Sequence, residues 1–370
     1  MCIVRSRFKV KFSKILLFAA LAVPLVFCNQ LQAANKPNNE PWVNVLTWWG
    51  YLDDPRIKQE VQDQCHVNLS YDEYYTNEQF LSMFNKYKQN YDILIFSNLL
   101  YNGMQSKIAD NNSDLWQVSN DYYPYFKQYY QSHDYDHNVV FFTHSMMGFL
   151  YNPDLIHIDP SQNIFEIFKD AGSNYVILVD DPAEVHNLLN LGYQTSGQNW
   201  PSSIYGSDGM LKLNYDNLKR VTQNSNVYIT NDFNKIYTLN NFAFSFMWSG
   251  DALLSVDQSN KPYKFSLHPD LSYVCTDLLA QIKETPAASC VAHVLAGQKV
   301  MGIVENSSYY FSPYFQNNVN TPDFNALYAE TKAILPKLSW IQPMTIEQFN
   351  DYDKEWEQVK LDLDNAKPAH

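Results

Sequence analysis

Glycine is scarce in this sequence, at 11 of 370 residues, or about 3% where roughly 7% is usual. Charged residues make up 18%, against about 25% in typical proteins. Basic residues are the scarcer sign, with 26 Lys and Arg against 39 Asp and Glu. Scarce glycine excludes collagen-like sequence and argues against a phosphate-binding loop. A shortage of basic residues argues against a nucleic-acid partner, because counterion release requires a basic surface.

Catalytic signatures are also missing. The sequence has no G-x-S-x-G elbow, no G-x-x-x-x-G-K-[ST] loop, no G-x-G-x-x-G and no H-E-x-x-H. Residues 133–137 hold two histidines four apart, but such a pair needs a helix to bind one metal, and this stretch is a poor helix former. We interpret it as a solvated loop. We therefore expect no catalytic residue, no metal and no cofactor, and hence no enzyme.

Long apolar runs are missing except near the N-terminus, at residues 15–28, and this run is shorter than the roughly 20 residues that span a bilayer. Five basic and no acidic residues precede it, and small residues follow at Ala33 and Ala34. We interpret residues 1–34 as a signal peptide, which predicts a soluble periplasmic protein. Cys28 raises the alternative of a lipoprotein, but Phe27 before it is too bulky for that processing site. Removing the five basic residues changes the net charge from −13 to −18.

Cysteine is rare too, and beyond the signal peptide only Cys65, Cys275 and Cys290 remain. An odd number permits one disulfide and one free thiol. We favour Cys275–Cys290 as the pair. A metal site is the weaker alternative, since no C-x-x-C occurs.

The sequence is rich in apolar residues, at 46%, and they fall into strands that alternate with helices. Helix starts are indicated at Asp54-Pro55, at Thr76 with Gln79, and at Asp181-Pro182. The predicted strands are residues 43–48, 67–71, 91–96, 139–142, 148–151, 175–179, 227–230, 244–248 and 273–279. This order predicts parallel sheets with helices on their faces, in two α/β units that form two lobes. We expect residues 111–138 to be irregular surface structure.

Aromatic and acidic residues cluster where the predicted strands end, which is where ligands bind in such sheets. Aromatic faces attract cations, and carboxylates accept hydrogen bonds from ammonium groups, so together they predict a box for an amine-bearing cation. The alternatives are structural. Asp181 and Glu184 also make a good capping box, and Trp48 and Trp248 are equally consistent with core positions. The clustered residues are Trp48, Trp49, Tyr51, Asp180, Asp181, Glu184, Trp248, Asp251 and Asp277.

Three stretches resemble the periplasmic spermidine/putrescine-binding proteins of ABC importers: VLTWWGY at 45–51, NYDILIFS at 90–97, and VILVDDPAEV at 176–185 with LGY at 191–193. The resemblance runs from residue 43 to 358. It implies the type II periplasmic binding protein fold, an α/β fold in which two lobes, each with a central mixed, mostly parallel sheet, are joined by a hinge. Lobe 1 would comprise residues 35–148 and 273–315, and lobe 2 residues 149–272 and 316–370. The hinge would lie near residues 145–150 and 270–277.

The resemblance also implies ligand-binding residues. Trp48 and Tyr51 would form aromatic walls, Asp181 and Glu184 would bind one amine end, and Asp277 would hold the other amine region. The full set implied is Trp48, Tyr51, Ser97, Asp181, Glu184, Trp248, Asp277, Tyr310 and Gln342. The implied partners are a polyamine, putrescine or spermidine, and a membrane ABC permease, with the binding protein itself a monomer.

The sequence departs from the family at three positions. Gly50 stands where the family often has an acidic residue, Leu99 where it has an aromatic, and Cys275 where it has a Trp. We expect Trp49 to refill part of the space. These departures leave three alternatives open: another small cationic ligand, an extracellular sensor or interaction protein on the same scaffold, and a secreted enzyme with a nucleophile and base in the cleft.

Overall fold

The computed structural model describes residues 40–108, 113–207, 209–223, 225–233, 236, 238–259 and 261–365, and the predicted signal peptide lies outside them. The strands of this part are β1 Trp42–Trp48, β2 Asn68–Tyr74, β3 Ile93–Ser97, β4 Val139–Tyr151, β5 Tyr175–Leu178, β6 Asn226–Ile229, β7 Phe242–Trp248, β8 Lys264–Ser266, β9 Tyr273–Gln281 and β10 Ser339–Trp340. The α-helices are α1 Pro55–Cys65, α2 Asn77–Tyr87, α3 Tyr101–Met104, α4 Pro124–Gln131, α5 Ile164–Ala171, α6 Pro182–Thr195, α7 Tyr215–Thr222, α8 Ser249–Gln258, α9 Pro286–Ala296, α10 Gln298–Ser308, α11 Pro322–Ile334 and α12 Ile346–Asn365.

The strands form one mixed sheet in the order β2-β1-β3-β9-β4-β7-β5-β6, with β10 beside β9 and β8 beside β4. Strands β2, β1 and β3 are parallel, and we name them the first strand group. Strands β7, β5 and β6 are also parallel, and they form the second strand group. Between the groups run β9 and β4, each antiparallel to its neighbours in the order. The predicted α/β architecture is confirmed, with β4 and β9 connecting two parallel groups.

Strand β4 is a single strand of 13 residues, where the sequence predicted two strands separated by residues 143–147. It pairs with β9 as far as Met147 and with β7 from Met147 onward, so both strand groups share it. The prediction was wrong because it read the polar residues between the two apolar runs as a break. These residues are buried and bonded within the fold: His144 Nδ1 lies 2.8 Å from Thr276 Oγ1, for example.

The stretch predicted to be irregular, residues 111–138, contains helix α4. Its start is consistent with Pro124 in the first turn, where a missing N–H costs nothing. Phe126 and Tyr130 are buried, and Tyr130 Oη donates to the carbonyl of Val139 at 2.6 Å. The prediction missed the helix because aromatic side chains, rather than aliphatic ones, form its buried face. Residues 133–137 follow the helix as a loop, as expected.

The disulfide joins Cys65 to Cys290, with the Cα atoms 5.8 Å apart, so the predicted Cys275–Cys290 pair is wrong. Cys65 ends α1 and Cys290 lies in α9, and the two helices pack against each other. A sequence separation of 225 positions kept this proximity from being predicted. Cys275 is the free thiol and is buried on β9.

Helices α9 and α10 carry much of the apolar core beside β9, including Val291, Leu295, Met301 and Val304. Within the described ranges no single helix is long and apolar enough to cross a membrane. Only α9 and α10 taken together reach that length and hydropathy, and they are bent by 56° relative to each other.

Candidate functional site

Four acidic side chains lie around β9, between the two strand groups. Asp181 precedes α6, Glu184 lies in its first turn, Asp251 lies in the first turn of α8, and Asp277 is in the middle of β9. We name these four residues the carboxylate cluster. Asp181 and Glu184 are only 8% and 7% exposed, and Asp251 and Asp277 are partly buried. Parallel strands and the helices that follow them bring these residues to the same edge of the fold.

Asp277 is held by groups from the first strand group and from β4. Its Oδ1 accepts a hydrogen bond from Trp48 Nε1 at 2.9 Å. Its Oδ2 accepts from Tyr51 Oη at 2.6 Å and from Thr143 Oγ1 at 3.0 Å. The turn between the two aromatics contains Gly50 with φ +81°, a left-handed conformation that favours glycine. One carboxylate therefore fixes two of the predicted aromatic walls.

Glu184 is held by groups from β7 and β9. Its Oε2 accepts from Tyr273 Oη at 2.6 Å, and its Oε1 accepts from Trp248 Nε1 at 3.1 Å and from Cys275 Sγ at 3.3 Å. The capping-box alternative would have required Glu184 to bond back to the helix start. Its side chain points at β9 instead, so that alternative is wrong for Glu184.

Asp181 caps its helix and also bonds to a residue of another helix. Its Oδ1 caps α6 by accepting from the backbone N–H of Ala183 and of Glu184, at 3.0 and 3.2 Å. Its Oδ2 points away from the helix and accepts from Asn77 Nδ2 at 3.3 Å. Asn77 is the first residue of α2, so this bond joins the N-terminal ends of two helices that follow different strand groups.

Asp251 joins the cluster through Tyr310. The Tyr310 hydroxyl donates to Asp251 Oδ2, and the Tyr310 ring meets the Tyr51 ring edge-on at 5.9 Å. The backbone at Gly250 lies close to the backbone at Ser308. A Cβ added to Gly250 would lie 2.7 Å from the Ser308 carbonyl oxygen. Glycine at this position therefore allows the start of α8 to pack against the segment that carries Tyr310.

The electrostatics of the cluster follow from burial. Burial raises the pKa of Asp181 to about 8, with further contributions from Glu184 and Glu78. It raises the pKa of Asp251 to about 6, and it also raises the pKa of Glu184 and of Asp277, although hydrogen bonds oppose it there. Every side-chain donor described above is neutral. None of the ion pairs within the described ranges includes a member of the cluster.

The cluster is elongated rather than centred on one point. Asp251 and Asp277 are connected through Tyr310 and Tyr51, while Glu184 contacts the same face of β9 at earlier positions, Tyr273 and Cys275. In the part of the chain that the structure describes, no three His, Cys, Asp or Glu side chains lie close enough to hold one metal ion. The arrangement suits a cation with several charges along its length.

Two predicted residues have no described side-chain hydrogen bond to the cluster. Ser97 stands opposite Asp277 in the β3–β9 register, but its Oγ accepts from the backbone N–H of Leu99 at 3.3 Å. Gln342 donates to the carbonyl of Trp340 at 2.9 Å, and no described hydrogen bond connects it to the cluster. The other seven predicted residues are connected through the contacts above: Trp48, Tyr51, Asp181, Glu184, Trp248, Asp277 and Tyr310.

Sequence reasoning missed four residues that bond to the cluster: Asn77, Thr143, Tyr273 and Cys275. A signal for the last two was available, because residues 273, 275 and 277 lie on one face of a strand with period two. Cys275 was noted only as a missing aromatic. No sequence signal points to Asn77 or Thr143, since their partners lie 104 and 134 residues away.

Gly50, Leu99 and the neighbouring Trp49 differ in their surroundings in the structure. The backbone N–H of Gly50 donates to Glu73 Oε1 at 2.7 Å, so a neighbouring strand supplies an acidic side chain at this turn. Leu99 is buried, at 1% exposed. Trp49 is 59% exposed and stacks on Tyr75, so the expectation that it refills the site is wrong.

No protein-family model and no curated protein sequence matches this chain. Solved structures do match it. A spermidine/putrescine ABC transporter substrate-binding protein, PotD, from Streptococcus pneumoniae aligns with a TM-score of 0.69 at 15% identity, covering 88% of this chain and 100% of that one. A putative spermidine/putrescine ABC transporter from Listeria monocytogenes aligns at 0.64 and 15%, covering 87% and 99%. The GacH receptor of Streptomyces glaucescens, solved with acarbose, aligns at 0.65 and 12%, covering 89% and 94%. The predicted type II solute-binding fold is confirmed.

Proposed function

We propose that this protein is the periplasmic substrate-binding protein of an ABC importer and that its ligand is a polyamine, putrescine or spermidine. The observation that carries the proposal is the carboxylate cluster, which holds two buried and two partly buried acids without a cationic partner in the described residues. Buried carboxylates are costly unless they are paired. A bound polycation would supply the missing charge.

The chemistry around the cluster favours an amine over a sugar. A neutral sugar would leave the four carboxylates uncompensated, whereas ammonium groups make charge-assisted hydrogen bonds to them. The indole nitrogens of Trp48 and Trp248 bond to Asp277 and Glu184, which holds both rings beside the acids. Aromatic faces next to carboxylates attract cations and pack against methylene chains. Two of the structures similar to this chain are those of spermidine/putrescine transporter proteins, which agrees with this choice.

We further propose that lobe 1 comprises residues 35–148 and 273–315, that lobe 2 comprises residues 149–272 and 316–370, and that β4 and β9 act as the hinge. Groups from both strand groups converge on the cluster, so a ligand there would favour closure. The closed form would be presented to a membrane permease. Export to the periplasm agrees with the Cys65–Cys290 disulfide, because disulfides persist in oxidising compartments.

Isothermal titration tests the proposal. The protein is first unfolded, dialysed to remove any bound amine, and refolded. Putrescine or spermidine should then bind with a Kd below about 10 μM. Maltose and 1,4-butanediol, a neutral analogue of putrescine, should give no heat. Absence of binding by both polyamines to protein with a cooperative melting transition would overturn the polyamine assignment. Binding of another small cation alone would replace it.

A further inference from the structure

We propose that Asn77 and Asp181 together form a binding site for a terminal –NH3+ group, and that Asn77 makes this site selective for a primary ammonium. The inference rests on the proposed function and deepens it, because it adds a selectivity residue to the amine-end site that the resemblance implies at Asp181 and Glu184. It also assigns a role to a residue that no motif in the sequence indicates.

The Asn77 carboxamide is only half satisfied. The residue is 4% exposed, and its Nδ2 donates to Asp181 Oδ2 at 3.3 Å. Its Oδ1 is buried and has no hydrogen-bond partner among the described residues. A buried acceptor without a partner costs about 1–3 kcal/mol. Since Oδ1 and Nδ2 belong to one planar amide, this free acceptor lies beside the Asp181 carboxylate.

A primary ammonium group fits what remains unsatisfied there. It has three N–H donors and no acceptor. Asn77 Oδ1 offers one acceptor, and Asp181 Oδ2 offers a second, because a carboxylate oxygen accepts more than one hydrogen bond. Glu184 follows Asp181 on the same helix turn and brings a second carboxylate near the site. Glu78, the residue after Asn77, adds further negative potential at Asp181.

The same geometry predicts which cations the site rejects. A trimethylammonium group carries the same charge but has no N–H, so it cannot satisfy Asn77 Oδ1 and would bury it against methyl groups. An aromatic box alone would not discriminate in this way, because the attraction of a ring for a cation needs no N–H donor. Selectivity for –NH3+ is therefore the property that separates a carboxamide site from a purely aromatic one.

Titration of the refolded full chain tests the inference with two probes, putrescine and its analogue with a trimethylammonium group at each end. The wild-type protein should bind putrescine at least about 30-fold more tightly than the analogue. Asn77→Ala should weaken putrescine binding by about 10-fold or more and should reduce the preference to below about 5-fold. Its melting temperature without ligand should change little, because the variant removes an unpartnered buried oxygen together with one long hydrogen bond to Asp181.

Thr331→Val is the matched control, because Thr331 Oγ1 is also buried without a described partner but lies in α11. It should leave both affinities within about two-fold. Equal binding of the two probes by the wild-type protein would overturn the inference, and this measurement needs no variant to fold. So would putrescine affinity that Asn77→Ala does not change. No putrescine or spermidine binding by the wild type would instead overturn the proposed function.

Discussion

Asp180 and Asp181 are adjacent in the sequence, yet their surroundings are opposite. Asp180 Oδ1 accepts from Trp356 Nε1 at 2.8 Å and from Lys360 Nζ at 3.1 Å. Asp181 is buried, and the donors around it are backbone and amide N–H groups without charge. The first carboxylate is compensated by the protein. No basic side chain among the described residues pairs with the second, Asp181.

The same contrast divides the acidic residues more widely. Several carboxylates outside the cluster pair with basic side chains: Asp54 with Arg56, Glu60 with Lys299, and Asp92 with Lys283. The carboxylate cluster is surrounded instead by phenol, indole, hydroxyl, thiol and amide donors. Such donors orient a carboxylate without neutralising it. This contrast supports the proposal that the cluster binds an external cation.

The largest expected effect comes from neutralising two cluster residues. Asp181→Asn combined with Glu184→Gln should weaken putrescine binding by about 10²–10⁴-fold, because two charge-assisted hydrogen bonds are lost. Asparagine remains a good N-cap, so the helix start should survive. Asp180→Asn is the adjacent control and should leave the affinity within about two-fold. Similar losses for the double variant and the control, measured by titration calorimetry, would remove the distinction between the two acids.

The disulfide Cys65–Cys290 lies outside the cluster and the free Cys275 lies within it, so replacing each tests the same contrast between outer and cluster residues. Replacing both Cys65 and Cys290 by Ser should reduce the free energy of unfolding by about 3–4 kcal/mol, because the disulfide closes a long loop. The amine affinity should be unchanged.

Cys275→Ser should have the opposite effects on affinity and stability. The affinity should change several-fold through Glu184, and the stability should change little. Urea unfolding and calorimetry of the same samples measure both quantities, and a Cys275→Ser variant with unaltered affinity would contradict its place in the site.

The pH dependence of stability provides a third test. The raised pKa of Asp181, about 8 in the fold, means that the folded protein binds more protons than the unfolded chain between about pH 4 and 8. Stability without ligand should therefore fall as pH rises through this window, by up to about 4 kcal/mol between pH 5 and 8.5. Saturating putrescine should remove much of the fall. A ligand-free protein that gains stability from pH 5 to 8.5 would show that the cluster is compensated after all.

The smallest expected effect concerns the outer acids. Lys360→Met removes the cation that pairs with Asp180 and Glu357, and it should cost less than about 1 kcal/mol, as is usual for partly exposed pairs. The affinity for putrescine should stay within about two-fold. Thermal unfolding gives the stability and titration gives the affinity. A large loss of affinity would mean that the outer and cluster acids act as one electrostatic unit.

Structural features that depend on a few neighbouring residues, such as helix starts, were predicted well from the sequence. Asp54 accepts from the backbone N–H of Arg56 at 2.9 Å and starts α1 as expected. Thr76 caps α2 by accepting from Gln79 N, although the Gln79 side chain bonds to Tyr75 N rather than completing the box. Caps are local because donor and acceptor lie within one helical turn. Features that depend on distant partners were missed, among them the continuous β4 and the Cys65–Cys290 bond.

By itself the sequence determined the α/β alternation, the excess of acid, and the placing of Trp48, Tyr51, Asp181 and Glu184 at element ends. Periodicity and capping carry that information, and both are local. Only the tertiary structure decided which acids go without a cation. The partners of the cluster come from far along the chain, as with Trp48 and Asp277, which are 229 positions apart. Burial raises the pKa of these acids, and it depends on all of the surrounding chain at once. For that reason the adjacent Asp180 and Asp181 differ, the first paired with a lysine and the second buried without one.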